Sequence, residues 1–323
     1  MSMAHDGLWS IGELAVHAGV TVKTIRFYSD RGLLPEASRS AGGHRRYGPD
    51  ALERLRLIRS LRTLDVPVPE VRRILAEQDE RGGDEERGGT GGALEDAVAV
   101  RLRALGSELR ALRWREAALR LVHECPPGER ADRLRLIGSL TVPPSTAPLA
   151  RFWRGWLPPR MPARSVGAFL EVAVPHLPDE PAPAQVLAFA RLHALVTRPC
   201  SVGERPQPAA HRIARAGGAA VLYAGLAEAY ELAGTQMRRG RQPGAGEALD
   251  GFVAAYADAY GTRDTPGFRR VLAGELAADP RLDGYWELAA VVTTAPGRPP
   301  EPTPGAAHDW LLAALREQTA ASA

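Results

Sequence analysis

The chain has 323 residues, 45% of them hydrophobic, with 41 Lys and Arg against 38 Asp and Glu and a net charge of +3. That length allows two or three units with real cores, and the charge is too mild for a polycation that coats nucleic acid along its whole length. Two cysteines, Cys125 and Cys200, exclude a disulfide framework, no run of about 18 apolar residues offers a membrane span, and the first residues carry no signal-peptide pattern, so the expectation is a cytoplasmic protein without a membrane partner.

Ser10 to Leu34, SIGELAVHAGVTVKTIRFYSDRGLL, predicts two short helices joined by a tight turn. Ser10 followed three residues on by Glu13 is a capping box, and Trp9 on Leu14 is a hydrophobic staple. Ile11, Leu14, Ala15 and Ala18 recur at helical spacing on one narrow apolar face, and Gly19 closes the helix. Thr21 caps a second helix in which a step of about 100° per residue puts Val22, Ile25 and Ser29 on one side and Lys23 and Phe27 on the other, with Thr24 and Arg26 flanking the outer side. Lys23 is the only lysine in the chain. Val22 and Ile25 already meet the packing need, so a basic outer face with an aromatic ring reads as a surface for DNA. The unit has the helix-turn-helix form, whose second helix enters the major groove. Two plainer readings stand beside it: Arg26 pairs with Asp30 at i+4, and Tyr28, at the edge of the apolar side, belongs to the core.

Downstream, SRSAGGHRRYGPDAL places Arg39, the Gly42-Gly43 pair and then His44, Arg45, Arg46 and Tyr47 ahead of the next helix. This is the composition of a short β-wing whose strands double back at the glycines and whose arginines bind phosphates beside the groove. Together, IGELAVHAGVTVKTIRFYSDRGLL, GHRRYGPDALERLRLI and VPVPEVRRIL resemble the winged-helix DNA-binding domain of the MerR family of transcriptional regulators, over residues 8–78. The resemblance implies that Thr21, Lys23, Thr24, Arg26 and Tyr28 lie at or near the groove, that Arg45 is the wing arginine, and that Tyr47 is the aromatic that closes the wing. Phe27 departs from the Tyr-Tyr pair common in the family, so a phosphate contact through a hydroxyl there is lost, while the ring can still pack on sugars. With Arg39 and Arg46 these residues form the candidate DNA-binding set.

Pro49 to Leu64 predicts a supporting helix with Leu52, Leu55, Ile58 and Leu61 in the core, and Val66 to Ala76 a shorter partner that buries Val71, Ile74 and Leu75 and carries Pro67 and Pro69 at its start, where proline is tolerated. Arg56, Arg59 and Arg62 read as a solvated face, with phosphate contact as the alternative. Residues 79–92, centred on RGGDEERGGTGG, read either as a flexible linker or as a loop on a continuous helical array. Residues 93–123 then form a long helix in which Val98, Leu102, Leu105, Leu109, Leu112 and Leu119 alternate spacings of four and three, with Glu116 in the missing place: a coiled-coil seam. A helix of about 45 Å is too long to bury that seam in a small DNA-binding domain, so a second copy is expected as its partner. Packing of the helix on its own C-terminal domain is the alternative. The resemblance implies an antiparallel coiled-coil homodimer on a two-fold symmetric promoter site, with RNA polymerase as the next partner and a nucleoid-associated location.

Thr141 to Pro148, TVPPSTAP, marks a second linker. Residues 150–323 are then Ala-rich and read as an all-α domain, with helices over 184–197, 209–233, 245–260, 266–278, 280–294 and 306–318 and one brief strand-like stretch at Val166 to Val174. The expected fold is therefore mainly α: an N-terminal winged helix-turn-helix, a long coiled-coil dimerisation helix and an all-α C-terminal domain. His123-Glu124-Cys125 falls where metal-sensing relatives place thiolates, but no second thiol stands in that loop or near Ala93, so no metal is expected and Cys125, like Cys200, reads as a structural thiol. No catalytic motif is present, no cofactor is expected, and His193 and His211 read as satisfied core histidines. Trp153, Trp156, Phe189, Tyr223, Tyr230, Phe252, Tyr256, Tyr260, Tyr285 and Trp286 are either core or the wall of a pocket for a small hydrophobic effector. The functional expectation is a dimeric DNA-binding regulator of promoters, with a small molecule acting on the C-terminal domain. A regulator whose C-terminal domain makes only protein contacts, and an enzyme fused to a DNA-binding domain, are the competing readings.

Overall fold

The computed structural model describes residues 7–81, 92–198, 209–211, 217–276 and 280–321. It divides into two units, Met1–Ser107 and Glu108–Ala323.

In the first unit, α1 (Ile11–Ala18) starts at the expected capping box. The Glu13 N–H donates to Ser10 Oγ at 3.3 Å and the Ser10 N–H to Glu13 Oε2 at 2.7 Å, and the latter bond holds the Glu13 carboxyl below its usual range. Trp9 lies on His17, with ring centroids 4.9 Å apart, and so covers the last turn of α1. Helix α2 (Val22–Asp30) is capped by Thr21, whose Oγ1 accepts from the Thr24 N–H at 3.1 Å. Three short antiparallel strands follow the order β1 (Trp9–Ser10), β3 (Arg45–Tyr47), β2 (Ser38–Arg39), with Arg46 opposite Ser10 on one side and Ser38 on the other. At the tip of the β2–β3 wing the Gly43 N–H donates to the Ser40 carbonyl, and Gly43 has φ 78°. A residue without Cβ is needed there to return the strand at this tightness.

Helices α3 (Asp50–Thr63) and α4 (Val68–Arg81) close the core over Leu14, Ile25, Leu55, Ile58, Val71 and Ile74. The expectation that a linker starts at residue 79 is corrected here. Residues 79–81 are still helical, because Asp79 is gripped by Arg54, whose Nη2 donates at 2.9 Å. The rest of that expected linker, 82–91, lies outside the described residues. The arginines of α3 are largely taken up by structure: Arg59 donates to the Ala18 carbonyl at the end of α1 (2.7 Å), Arg62 to the Val66 carbonyl (2.6 Å), and Arg56 pairs with Glu53. Helix α5 (Gly92–Glu124) is 33 residues long, about 50 Å, and its first turns place Ala93 and Ala97 in this core.

The second unit is all helix among the described residues: α6 (Arg130–Gly138), α7 (Ala147–Trp156), α8 (Ala163–Ala173), α9 (Pro183–Thr197), α10 (Gly218–Arg238), α11 (Glu247–Tyr260), α12 (Pro266–Glu275), α13 (Pro280–Thr293) and α14 (Pro304–Ala321), with 3₁₀ turns at Pro127–Glu129 and Ala209–His211. Three expectations are corrected. Val166 to Val174 is the body of α8, since Val166, Phe169, Leu170 and Ala173 pack together at helical spacing and belong to one core. The helix expected over 209–233 is a 3₁₀ turn and a separate α10 that runs on to Arg238. The stretch TVPPSTAP ends inside α7, because Pro148 sits in its first turn, where the missing N–H costs nothing.

Two cores hold this unit. One joins α10, α11, α12 and α14 around Leu249, Phe252, Tyr256, Leu311 and Leu315; the other joins the end of α5 to α7, α8, α9 and α13 around Trp114, Trp153, Phe189 and Tyr285. Gln185 at the head of α9 ties the second core shut, its Nε2 donating to the Val292 and Thr294 carbonyls at 3.0 Å each. In the first core α10 and α11 meet at Gly225, where an added Cβ would lie 2.7 Å from Ala255 Cβ.

Gly225→Ala must therefore push α11 away and is expected to cost about 1–3 kcal/mol, read as a lower urea midpoint. Gly251→Ala on α11 meets nothing within 4 Å and is expected to be neutral or stabilising by about 0.5–1 kcal/mol. Equal midpoints for the two variants would contradict the close approach.

Candidate nucleic-acid interface and C-terminal cavity

Helix α2 presents a divided surface. Ile25 is fully buried and Tyr28 is 9% exposed, so both belong to the core, whereas Lys23, Arg26 and Phe27 point outward, Phe27 at 42%. Arg31 lies over the Phe27 ring at 4.4 Å from its centroid, a cation–π contact that holds the ring on the surface. Tyr28 thus follows the core reading of its position. Thr21 and Thr24 share a hydrogen bond of 2.9 Å between their hydroxyls at the head of the helix.

The wing is joined to this helix by polar contacts that sequence spacing does not reveal. Tyr47 is fully buried and donates its hydroxyl to Ser29 Oγ at 3.3 Å, and Ser29 donates to the Leu34 carbonyl at 3.0 Å. Arg45 pairs with Asp30 at 2.7 Å and with Glu36 at 3.2 Å, and Arg39 pairs with the same Glu36 at 2.8 Å. Asp30 is thus held by Arg45, not by Arg26. No ion pair engages Lys23 or Arg26 among the described residues. The structure brings Lys23, Arg26 and Phe27 together on one exposed face with Arg39 exposed and Arg46 half-buried on the adjoining wing; it places Tyr28 and Tyr47 inside.

On α5 the six expected seam residues, Val98, Leu102, Leu105, Leu109, Leu112 and Leu119, are 37–67% exposed. A different face of the same helix packs inward within the second unit through Trp114, Ala117 and Leu121, and Trp114 Nε1 donates to the Pro178 carbonyl at 3.0 Å. The helix therefore carries two apolar faces, one covered by its own unit and one open. Just beyond it the buried Cys125 thiol donates to the Val122 carbonyl at 3.2 Å. Among the described residues no three His, Cys, Asp or Glu side chains are grouped to hold a metal ion. Cys200 lies outside them.

The second unit contains a cavity of about 1030 Å³ between its two cores. Of the aromatics singled out from sequence, Trp153, Trp156, Tyr223, Tyr230 and Trp286 line it, while Phe189, Phe252, Tyr256 and Tyr285 are core. Phe169 and His308 also line it; the first was hidden in the strand-like stretch, and nothing local marks the second. His211 is satisfied on both sides, its Nδ1 sharing a hydrogen bond of 3.2 Å with Tyr223 Oη and its Nε2 one of 3.1 Å with Tyr256 Oη. His308 Nδ1 lies 2.9 Å from Tyr230 Oη. His193 does not match its expected role, since its buried Nδ1 has no hydrogen-bond partner. Desolvation keeps both cavity histidines neutral, His211 pushed down to about 3 and His308 to about 4, and pushes Tyr223 and Tyr230 up.

Residues 9–78 match the family described as MerR HTH family regulatory protein. Over 67 residues, 21% of this chain, the sequence is 45% identical to the nodulation protein NolA of Bradyrhizobium sp. (strain NC92), covering 28% of that protein. It is 46% identical over 67 residues to the HTH-type transcriptional activator TipA of Streptomyces coelicolor, covering 26% of it, and 42% identical over 66 residues to the mercuric resistance operon regulatory protein of Serratia marcescens, covering 46% of it. The matched segment thus spans less than half the length of each of these relatives.

Beyond residue 78 the chemistry rests on this chain's own side chains, and the two neutral histidines give it a pH signature. Unfolded, each takes up a proton near the ordinary value of 6.5, while the folded unit resists until about 4 and 3. Their contribution is therefore fully present above pH 6.5 and lost as pH falls toward those values. Asp309, pushed up by desolvation and then by Asp283, works in the opposite sense. The expected result is a melting temperature lower at pH 5 than at pH 7.5, with a smaller drop in His211→Gln and His308→Gln. A drop of the same size in both variants would contradict the assignment.

Proposed function

With residues 9–78 a MerR-type helix-turn-helix DNA-binding domain, we propose that the whole chain is a sequence-specific transcription regulator that acts as a homodimer on promoter DNA and is modulated by a small molecule in its C-terminal cavity. The observation that carries the reading is the divided surface of α2: the core consumes Ile25 and Tyr28 and leaves Lys23, Arg26 and Phe27 facing outward beside the wing. Helix α2 enters the major groove with its first turns, Thr21 to Arg26, toward the bases. Arg39 and Arg46 of the wing approach the flanking phosphates, and each contact releases counterions. Arg45 is occupied by Asp30 and Glu36; its first task is to hold the wing against the end of α2, and it reaches a phosphate only by exchanging a carboxylate for it. Tyr28 and Tyr47 act from within, setting the position of α2 and β3.

The open face of α5 supports the dimer. Six apolar side chains exposed along a helix of about 50 Å are costly in water, and a second α5 covers them with the same pattern. By analogy with the domain's family, the dimer distorts the promoter between its half-sites so that RNA polymerase engages it, and an effector acts by favouring one of two conformations of the bound dimer. The cavity, of the size that small-molecule sites have, supports that last step. TipA carries the name of a transcriptional activator, and the reading here is likewise a regulator, not an enzyme.

Lys23→Ala and Arg26→Ala are each expected to weaken binding to promoter DNA by about 1–3 kcal/mol in gel shifts while the protein remains a dimer. Unchanged affinity would remove the residue from the interface. Leu105→Glu with Leu109→Glu is expected to give monomers by sedimentation velocity and to abolish the retarded band. A dimer that persists would place the interface elsewhere.

A further inference from the structure

The walls of the C-terminal cavity describe the ligand it takes. On α10, Ala224 and Ala227 lie between Tyr223 and Tyr230 and all four line the cavity. Seven residues of helix separate the two tyrosines by about 10 Å along the axis, and the alanines between them leave a flat floor. Trp153, Trp156, Phe169 and Trp286 complete the aromatic lining, with Phe169 and Trp156 edge-on to the Tyr223 ring at 5.5 and 6.5 Å. A cavity walled by so many rings and floored by a helix fits a flat ring system.

Polar groups stand at both ends of the floor. Tyr223 is bonded to His211 and Tyr230 to His308. A neutral imidazole is donor at one nitrogen and acceptor at the other, so each tyrosine hydroxyl keeps capacity for one further bond. The ionised side chains of the lining, Arg164, Glu171, Glu231, Arg238 and Asp309, are all exposed and mixed in sign, and only Asp283 is half-buried. The exposed ones mark the mouth, so apart from Asp283 the interior offers hydrogen bonds and not full charges.

We infer that the cavity takes an uncharged, elongated and flat aromatic compound with a hydroxyl or carbonyl oxygen near each end, spanning the Tyr223–His211 and Tyr230–His308 pairs. This rests on the reading of the cavity as an effector site and adds the chemical class. A cation is disfavoured because three of the four lining carboxylates, Glu171, Glu231 and Asp309, are exposed and only Asp283 is half-buried; an anion is disfavoured because both lining arginines, Arg164 and Arg238, are exposed.

The test is calorimetric titration of the full chain at pH 7.5 with three rod-shaped two-ring probes: neutral 4,4′-dihydroxybiphenyl, anionic biphenyl-4,4′-dicarboxylate and cationic N-methyl-4-phenylpyridinium. The neutral diol is expected to bind at least about ten-fold tighter than either ion. Tyr223→Phe and Tyr230→Phe should each weaken it about five-fold. Thr197→Val, which removes a hydroxyl that donates to the His193 carbonyl on α9 and is not part of the lining, should leave it unchanged. Biphenyl itself reads the hydroxyl contribution on the unmodified chain and should bind more weakly than the diol. Tighter binding of either ion would overturn the ligand class and leave the effector cavity standing. Equal binding of biphenyl and the diol would overturn the polar ends. Binding of none of the probes would overturn both the class and the cavity as an effector site.

Discussion

Tyr47 is the residue on which the proposed interface depends. Its ring fills the space between the three-stranded sheet and the core, and its hydroxyl reaches Ser29 on α2, so the wing strand and the outward-facing helix move as one piece. Arg45 adds a second tie one layer further out, to Asp30 at the end of the same helix. A helix that reads bases and a wing that grips backbone are useful only in fixed register, since a side chain misplaced by an ångström loses its hydrogen bond. The register here comes from buried and half-buried polar contacts, which leaves Lys23 and Arg26 exposed and outside any ion pair among the described residues.

Helix α5 answers a different constraint. A single helix has room for two apolar faces, and this one uses both: Trp114, Ala117 and Leu121 face its own unit, and the Val98 to Leu119 stripe is open. The two expectations for this helix, dimer seam and packing on its own domain, were posed as alternatives, yet they concern different faces. The proposed dimerisation and the packing of the helix on the C-terminal domain therefore draw on different residues.

What was legible in the sequence followed from local chemistry. The Ser10–Glu13 box, the Thr21 cap and the periodic apolar residues of α1 to α4 act within a few residues, so spacing alone revealed them. Spacing leaves Tyr28 undecided because its burial is settled by residues far along the chain, and it does not show that Asp30 and Glu36 stand beside Arg45. In the second unit, Val166 to Val174 resembles a strand because a short apolar run fits either period, and Pro148 falls in a stretch with linker composition although it sits in the first turn of α7. The cavity was visible only as an excess of aromatics. Its geometry assembles α7, α8, α10, α13 and α14, and no local pattern reports that His308 will meet Tyr230.

The most direct test of the account is equilibrium binding of the full chain to the DNA upstream of its own coding sequence, against a scrambled duplex of equal length and composition, across a salt series. The account predicts tighter binding to the upstream duplex at every salt concentration, with the logarithm of affinity falling linearly and steeply against the logarithm of salt as phosphate contacts release counterions. Equal affinity for both duplexes, or an affinity that salt leaves unchanged, would contradict it.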